Sequence, residues 1–320
     1  MGAPAAQSTL VIVVGAGRSG TSGVAGALQA LGLRVPQPEV EADPSNPRGF
    51  FEPRWVVDFH AELMHEAEIA IADARPQAVA QAERVGSRTT HRCRLQDWLS
   101  DLDATGDELV VKDPRTSWFQ GMWQHAAPEV GLSARFLTML RHPAEVSGSR
   151  QTYYRSGESP AARRAGTITR VAGWVNLNLA SEQQHRDHRR VFVGYPDLLA
   201  DWRSALYRVH ERLGLTCAAD LDWGKPHALD DFIDPALRRH ADGWADVEVP
   251  AQLRDIAEEV WRHLGTLATG DGFDSHALKT LEGLRADYDL LFADAHALSR
   301  RPPAARRGRG RRPDDAPERP

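Results

Sequence analysis

The chain has 320 residues, 42% of them hydrophobic, and a formal net charge of -5. This length can bury the core of one large domain, and the acidic balance argues against nucleic-acid binding by the body of the protein. No apolar run approaches the ~18 residues of a membrane span. The two cysteines, Cys93 and Cys217, lie far apart in the sequence. A disulfide framework is therefore not expected, and a reducing cytoplasm is the default location.

The charge is unevenly distributed along the chain. Residues 300–320 contain eight arginines and three acidic residues, a local charge of +5 that leaves -10 on the rest. The segment is rich in proline and low in complexity, so residues 299–320 are predicted to be a disordered tail behind an α/β domain at 1–298. Clustered arginine binds phosphates. One hypothesis is therefore a non-enzymatic anion-binding module whose tail contacts an acidic surface.

The stretch LVIVVGAGRSGTS predicts a strand, a glycine-rich turn and a helix. Leu10–Val14 is a short apolar run with many β-branched residues, which is typical of a strand covered on both faces of a parallel sheet. From Gly23 the apolar residues are spaced for one helix face until Gly32. Unpartnered N–H groups and the helix dipole would make this turn an anion cradle that suits phosphate or sulfate.

The turn satisfies GxGxxG, the dinucleotide-binding pattern, through Gly15, Gly17 and Gly20. That pattern also requires a second strand about 20 residues on, which ends in an acid for the ribose. Pro36 and Pro38 fall in that window and disfavour a central strand. A dehydrogenase therefore stays the weaker interpretation.

The same turn also resembles a phosphate loop, G-x-x-x-x-G-K-[ST]. Gly15, Gly20 and Ser22 match that pattern, but Thr21 occupies the lysine position. A phosphate-loop kinase or phosphotransferase would lack its phosphate-binding lysine and stays open only as an alternative. The cation of this turn is instead Arg18, directly before Ser-Gly-Thr.

Further strands and helices alternate along the chain. Apolar runs predict strands at Leu109–Val111, Arg135–Leu140 and Arg190–Tyr195. Helical patterns lie at Trp55–Ala72, Arg92–Leu102, Thr116–Ala126, Ser149–Tyr154, Ala161–His188, Pro196–Leu213, Gln252–Leu264 and His276–Leu298. The alternation predicts an α/β fold, a phosphate-loop-type doubly wound parallel sheet flanked by helices, with a helical C-terminal third.

Charged residues follow two of the predicted strands. Lys112, Asp113 and Arg115 come after one, and Arg141 ends another, with Ser149 eight residues further on. Open α/β sheets bind ligands at the carboxyl ends of their strands, and arginine offers a permanently charged fork for a phosphate. Arg141 and Ser149 are therefore a candidate phosphate clamp. The alternative is a surface arginine and a helix-capping serine.

These motifs together resemble PAPS-dependent sulfotransferases, in particular the bacterial, carbohydrate-type branch. Arg-Ser-Gly-Thr at 18–21 is similar to the family's 5′-phosphosulfate loop, and the Arg141/Ser149 pair to its 3′-phosphate element. NPRGFFEP, VVKDPRT and the segment at Tyr195 resemble further family segments. The histidine base of the cytosolic enzymes would fall at Pro114 and is absent. A late Arg-Lys-Gly nucleotide loop has no counterpart either.

The resemblance implies in-line transfer of a sulfuryl group from 3′-phosphoadenosine 5′-phosphosulfate (PAPS) to the hydroxyl of a small molecule, glycan or lipid. Adenosine 3′,5′-bisphosphate is the implied product, and no metal is expected. The implied donor-binding residues are Gly17, Arg18, Ser19, Gly20, Thr21, Ser22, Arg141, Ser149 and Tyr195. Arg18 and Lys112 would also neutralise charge during transfer. The expected substrate contacts are Arg48, Phe51, Asp113 and Arg115.

A base must take the proton of the acceptor hydroxyl, which is worth ~10²–10⁴-fold in rate. Glu52 is the first candidate, because the two phenylalanines before it would raise its pKa by desolvation. The alternative is that Glu52 is a solvated loop carboxylate. Asp113 is the second candidate for the base, although its position between Lys112 and Arg115 favours a salt-bridged positioning role.

Overall fold

The computed structural model describes residues 8–102, 106–154, 159–218, 222–237, 243–245 and 247–299, with the backbone alone for 149–154. Within these residues the strands are β1 (Ser8–Val14), β2 (Leu109–Lys112), β3 (Leu132–Leu140) and β4 (Arg190–Gly194). The helices that precede β3 are α1 (Thr21–Ala30), α2 (Arg54–Ala67), α3 (Gln77–Gly86), α4 (Thr89–Asp101) and α5 (Gln120–Glu129). Those that follow are α6 (Pro143–Tyr154), α7 (Pro160–Gln184), α8 (Tyr195–Ala200), α9 (Trp202–Leu213), α10 (Leu229–Phe232), α11 (Ala251–Thr269) and α12 (Ser275–Ser299).

The strands form a parallel sheet in the order β2-β1-β3-β4. The chain crosses from β2 over β1 to reach β3, so the direction of winding reverses beside β1. Ligands of open α/β sheets bind at the carboxyl ends of the strands next to such a reversal. The turn after β1 and the residues after β3 thus share one edge of the sheet. The predicted doubly wound parallel sheet with a helical C-terminal region is confirmed.

Both faces of the sheet are covered, because side chains alternate between the two faces along each strand. In β1, Leu10, Ile12 and Val14 join the cluster that includes residues of α2, α7 and α11, whereas Val11 and Val13 join the cluster on the α1 and α9 face. All five side chains are fully buried. This two-sided burial explains why the strand is continuously apolar rather than alternating.

The C-terminal helices pack on α7 rather than extending the sheet. The Arg285 guanidinium of α12 donates to the Asn176 side-chain oxygen at 2.7 Å and to the Asn176 carbonyl at 2.8 Å. The Tyr288 hydroxyl donates to the carbonyl of Ala74, so α12 also fixes the loop after α2. In the part of the chain that the structure describes, no helix combines the length and apolar character needed to cross a membrane.

Several helices differ from the predicted bounds, and two, α3 and α10, were missed. The predicted helix Trp55–Ala72 stops at the end of α2, where Glu68 adopts a left-handed φ of 54°. The predicted helix Pro196–Leu213 is divided by Asp201, whose carboxylate accepts from the Ser204 N–H at 3.1 Å and starts α9. Helix α3 was not predicted. Two of its four buried residues are alanine and one is glycine, so no large apolar side chain marks its buried face in the sequence.

Gly173 of α7 allows a close approach to the loop at Ala72. A Cβ at Gly173 would lie 2.4 Å from the Ala72 carbonyl oxygen, whereas a Cβ at Gly283 of α12 would meet no atom within 4 Å. We expect Gly173→Ala to lower the free energy of unfolding by ~1–3 kcal/mol through overpacking. The control Gly283→Ala should raise it by ~0.5–1 kcal/mol, since alanine loses less entropy in a helix. Urea denaturation measures both, and equal effects would contradict the close contact.

Candidate active site

The glycine turn after β1 is pressed against the neighbouring strand and against Tyr195. A Cβ at Gly15 would lie 2.6 Å from the carbonyl oxygen of Met139 in β3, and a Cβ at Gly20 would lie 2.3 Å from the Tyr195 ring. Both glycines also have positive φ. Gly20 is the N-cap of α1, and no side chain among the described residues caps that helix. The N–H groups of its first turn are therefore available to an anion.

Two buried hydroxyls near this turn lack a hydrogen-bond partner among the described residues. They are Ser19 Oγ, in the turn itself, and Thr116 Oγ1, in the 3₁₀ turn that follows β2. Both side chains are fully buried. Leaving such a group unpaired costs ~1–3 kcal/mol, and an anion oxygen on the turn could pair with the Ser19 hydroxyl. The turn therefore has the chemistry of an oxyanion site.

Arg141 extends from the end of β3 to the glycine turn. Its Nη1 donates to the Arg18 carbonyl at 3.0 Å, and its Nε donates to Glu145 Oε2 at 3.0 Å. The guanidinium carbon lies 4.6 Å from the centroid of the Tyr195 ring. Of its five N–H groups, these contacts with described residues use two and leave three for a phosphate. Arg141 thus faces the turn, as the phosphate-clamp hypothesis requires.

The other predicted donor-binding residues lie in the same region. Gly17, Arg18 and Ser19 belong to the turn, and Thr21 and Ser22 open α1. Arg18 is exposed and has a left-handed φ of 74°. Ser149 lies in α6, but its side chain is outside the part that the structure describes. Its place in the clamp therefore stays a prediction.

Lys112 joins β2 to the first turn of α1 and to the loop before α2. Its Nζ donates to Ser22 Oγ at 3.0 Å, to the Phe50 carbonyl at 3.4 Å and to the Glu52 carboxylate. These contacts use all three N–H groups of the ammonium. The two charged side chains are 3% and 11% exposed, so Lys112 and Glu52 form a buried ion pair.

Glu52 has the raised pKa that the sequence predicts, with a cation beside it. Burial raises the pKa of the Glu52 carboxyl above its ordinary value of 4.5, while the charge of Lys112 opposes that shift. Farther charges act in both directions, since Asp113 raises this pKa and Arg115 lowers it. The residue as a whole is 8% exposed. The alternative of a solvated loop carboxylate is therefore wrong.

Asp113 is fully buried and uses both carboxylate oxygens. Oδ2 lies 2.9 Å from His60 Nδ1, and Oδ1 accepts from the Arg115 backbone at 3.2 Å and from its Nη1 at 2.9 Å. This arrangement favours positioning over proton abstraction. His60 was not among the predicted site residues. It is 53 residues from Asp113, on the buried face of an amphipathic helix, where the sequence gives no sign of the pairing.

Arg48 and Phe51 contact the segment around α10. The Arg48 guanidinium donates to the Phe232 carbonyl and lies 3.6 Å from Asp234 Oδ2. The Phe51 ring meets the Phe232 ring edge-on at 6.0 Å. These contacts hold the loop that carries Glu52 against the C-terminal part of the molecule. A contact of Arg48 or Phe51 with the acceptor stays a prediction.

The buried pair gives a stability prediction. Lys112→Met would leave the Glu52 carboxylate buried without its countercharge, which we expect to lower the free energy of unfolding by ~3–5 kcal/mol at pH 7. Adding Glu52→Gln removes that charge and should restore part of the loss. Urea denaturation of the single and double variants measures both steps. A Lys112→Met protein as stable as wild type would contradict the pairing.

Comparison with known proteins adds information that is independent of this geometry. A sequence model of the sulfotransferase family matches residues 11–220. A search of curated proteins finds no match. The structure is similar to the sulfotransferase domain of the Synechococcus PCC 7002 olefin synthase, with 19% identity over 81% of this chain and 95% of that one and a TM-score of 0.45.

Two further solved structures are similar to this chain. The sulfotransferase domain from the curacin biosynthetic pathway has 15% identity over 81% of this chain and 98% of that one, with a TM-score of 0.42. Sulfotransferase STF1 from Mycobacterium tuberculosis has 18% identity over 80% of this chain and 77% of that one, with a TM-score of 0.38. At these identities the likeness concerns the fold alone.

Proposed function

The chain belongs to the sulfotransferase family, and we propose that it transfers a sulfuryl group from PAPS to an acceptor hydroxyl. The observation that carries the proposal is the approach of the Arg141 guanidinium to the backbone of the glycine turn, at the ends of two neighbouring strands. Arg141, after β3, donates to the carbonyl of Arg18 in the turn after β1. An adenosine with phosphates at both 3′ and 5′ positions needs two such binding points. The acceptor would be a small molecule, a glycan or a lipid headgroup.

The residues present fit the donor chemically. The Ser19 hydroxyl and the N–H groups at the start of α1 would hold the 5′ end. The three N–H groups of Arg141 that protein contacts leave over would hold the 3′-phosphate. Tyr195, which already stacks on Arg141, would lie beside the adenine. PAPS supplies the sulfuryl group when bound.

Lys112 and Glu52 would share the acid–base and electrostatic tasks. Glu52 would accept the proton of the attacking hydroxyl. Lys112 contacts both the proposed base and Ser22, which follows the donor-binding turn. Its positive charge therefore lies between the proposed base and the proposed donor site. A fixed charge in a buried site stabilises developing negative charge without reorganisation. We propose that Lys112 acts in this way during transfer, together with Arg18.

The donor clamp gives a binding prediction. We expect the protein to bind adenosine 3′,5′-bisphosphate in buffer with a chelator, because the proposed phosphate ligands are N–H and O–H groups. Arg141→Ala should weaken this binding by ~2–5 kcal/mol and should change the weaker binding of AMP much less. Isothermal titration calorimetry measures both ligands.

The control for this variant is Arg141→Ala/Glu145→Ala, which also removes the carboxylate that pairs with Arg141. Equal wild-type affinity for AMP and the bisphosphate would exclude a 3′-phosphate clamp. Magnesium-dependent binding of ATP would instead favour the phosphotransferase alternative.

The base gives a pH prediction. We expect Glu52→Gln to lower kcat by ~10²–10⁴-fold. In the wild type, kcat/KM should rise with pH as Glu52 loses its proton, with a midpoint above 4.5 because burial raises this pKa. The folded state binds that proton more tightly than the unfolded state, so the contribution of Glu52 to stability falls as pH rises above 4.5.

The measurements are pH–rate profiles and unfolding curves of wild type and Glu52→Gln, which retains an oxygen acceptor for Lys112. The variant should lose the acidic limb of the profile and this part of the pH dependence of stability. Retention of the full rate and of the acidic limb would rule out Glu52 as the base.

A further inference from the structure

A buried chain of hydrogen bonds runs behind the candidate site, from α5 through α2 to the end of β2. Trp123 Nε1 of α5 donates to His60 Nε2 at 3.1 Å, and His60 Nδ1 lies 2.9 Å from Asp113 Oδ2. The other oxygen of Asp113 accepts from the Arg115 backbone and guanidinium. Trp123, His60 and Asp113 are fully buried. The Arg115 side chain, at the end of the chain of bonds, is 23% exposed.

The tautomer of His60 follows from its partners. An indole nitrogen is only a donor, so His60 Nε2 must accept and carries no proton. The ring proton of the neutral imidazole is therefore on Nδ1 and is donated to Asp113. The ring is also held by stacking, at 5.6 Å from Phe119 and 6.1 Å from Phe59 between ring centroids. Both its position and its protonated nitrogen are thus fixed by α2 and α5.

We propose that His60 is a positioning residue for sulfuryl transfer, which orients the Arg115 guanidinium through the Asp113 carboxylate. This role rests on the proposed function. Asp113 has one oxygen for each neighbour, so rotation of the carboxylate would move Arg115 from its place. His60 holds Oδ2 and thereby fixes the direction in which Oδ1 meets Arg115. The carboxylate thus connects the buried imidazole ring to the partly exposed guanidinium in one fixed orientation.

The position of Arg115 matters for the chemistry because its charge acts on the candidate base. Arg115 lowers the pKa of Glu52, whereas Asp113 raises it. A free arginine side chain carries ~2 kcal/mol of rotamer entropy, and anchoring Nη1 and the backbone N–H on one carboxylate removes much of that freedom before the substrate binds. The donors of Arg115 that Asp113 does not use are then presented at a fixed place.

A double-mutant cycle tests the role. His60→Gln removes the donor at the Nδ1 position, and we expect kcat to fall ~10–100-fold with the KM of the donor nearly unchanged. His60→Asn places an amide N–H near that position and should keep kcat within ~3-fold of wild type. In an Arg115→Ala background, His60→Gln should change kcat by less than ~2-fold, since its effect passes through Arg115.

A merely structural histidine would give losses that multiply in the cycle, and would show no rescue by asparagine. Either result overturns the proposal. If His60→Gln does not fold, Trp123→Phe takes its place in the cycle, because it removes the donor that fixes the tautomer. The same dependence on Arg115 is then expected, with a smaller loss.

Imidazole ¹⁵N shifts give a readout without turnover. They should show His60 protonated on Nδ1 and bare on Nε2, and the opposite tautomer would overturn the proposal. A wild-type protein that transfers sulfuryl to no hydroxyl, with the expected tautomer, would refute the proposed function and leave these bonds as part of the fold alone. An active wild type with multiplicative losses would refute only the role of His60.

Discussion

The edge of the sheet that carries the candidate site depends on one constraint, the compensation of buried charge. The strands that end at this edge are buried on both faces, so the charged residues directly after them are also buried. An unpaired ion in such a place is strongly destabilising. The buried charged side chains at this edge accordingly have partners: Lys112 pairs with Glu52, Arg141 pairs with Glu145, and Asp113 contacts Arg115 and His60. The pairs bring together the ends of separate strands and helices.

This compensation also shapes the chemistry. Two of the basic side chains proposed to act on the anionic donor, Lys112 and Arg141, are already paired with carboxylates, which lowers the positive charge of the site before the donor arrives. In the pair of Arg141 and Glu145, three guanidinium N–H groups remain for a ligand, while the carboxylate compensates the buried positive charge. Preorganisation of this kind is the main contribution a protein makes to transfer between oxygen atoms.

Much of the fold was predictable because it follows from local patterns. Leu10–Val14 and the other apolar runs mark the strands, and the reversal beside β1 brings the turn at Arg18 next to Arg141. The pairing of Arg141 with Glu145 spans one helical turn and is also a local feature. Helix α3 was missed because its buried residues are small, so the helix has no leucine or aromatic side chain that would mark its buried face.

The pairings across the fold were not predictable in the same way. His60 meets Asp113, and Lys112 meets Ser22, only after distant segments have been brought together by the sheet. The local sequence does indicate an ion pair for Asp113, because Arg115 is only two residues away. A neutral histidine from α2 satisfies the second oxygen, and nothing in the spacing of α2 distinguishes that residue from an ordinary core position.

Lys112 provides the start of α1 with a cation that the sequence motif of the turn does not indicate. The turn after β1 lacks the lysine of a phosphate loop, since Thr21 occupies that place, and the sequence therefore assigns its positive charge to Arg18. In the structure β2 lies next to β1, and Lys112 Nζ reaches the hydroxyl of Ser22, directly after Thr21, at 3.0 Å. A cation is thus supplied to the start of α1 from the neighbouring strand.

Because the ammonium group of Lys112 is also bound to Glu52, it must release one of its three contacts to bind a ligand. The longest of these contacts is the 3.4 Å hydrogen bond to the Phe50 carbonyl. Exchange of that bond would keep Lys112 on both Ser22 and Glu52, so donor binding and the candidate base would stay connected through one ammonium group.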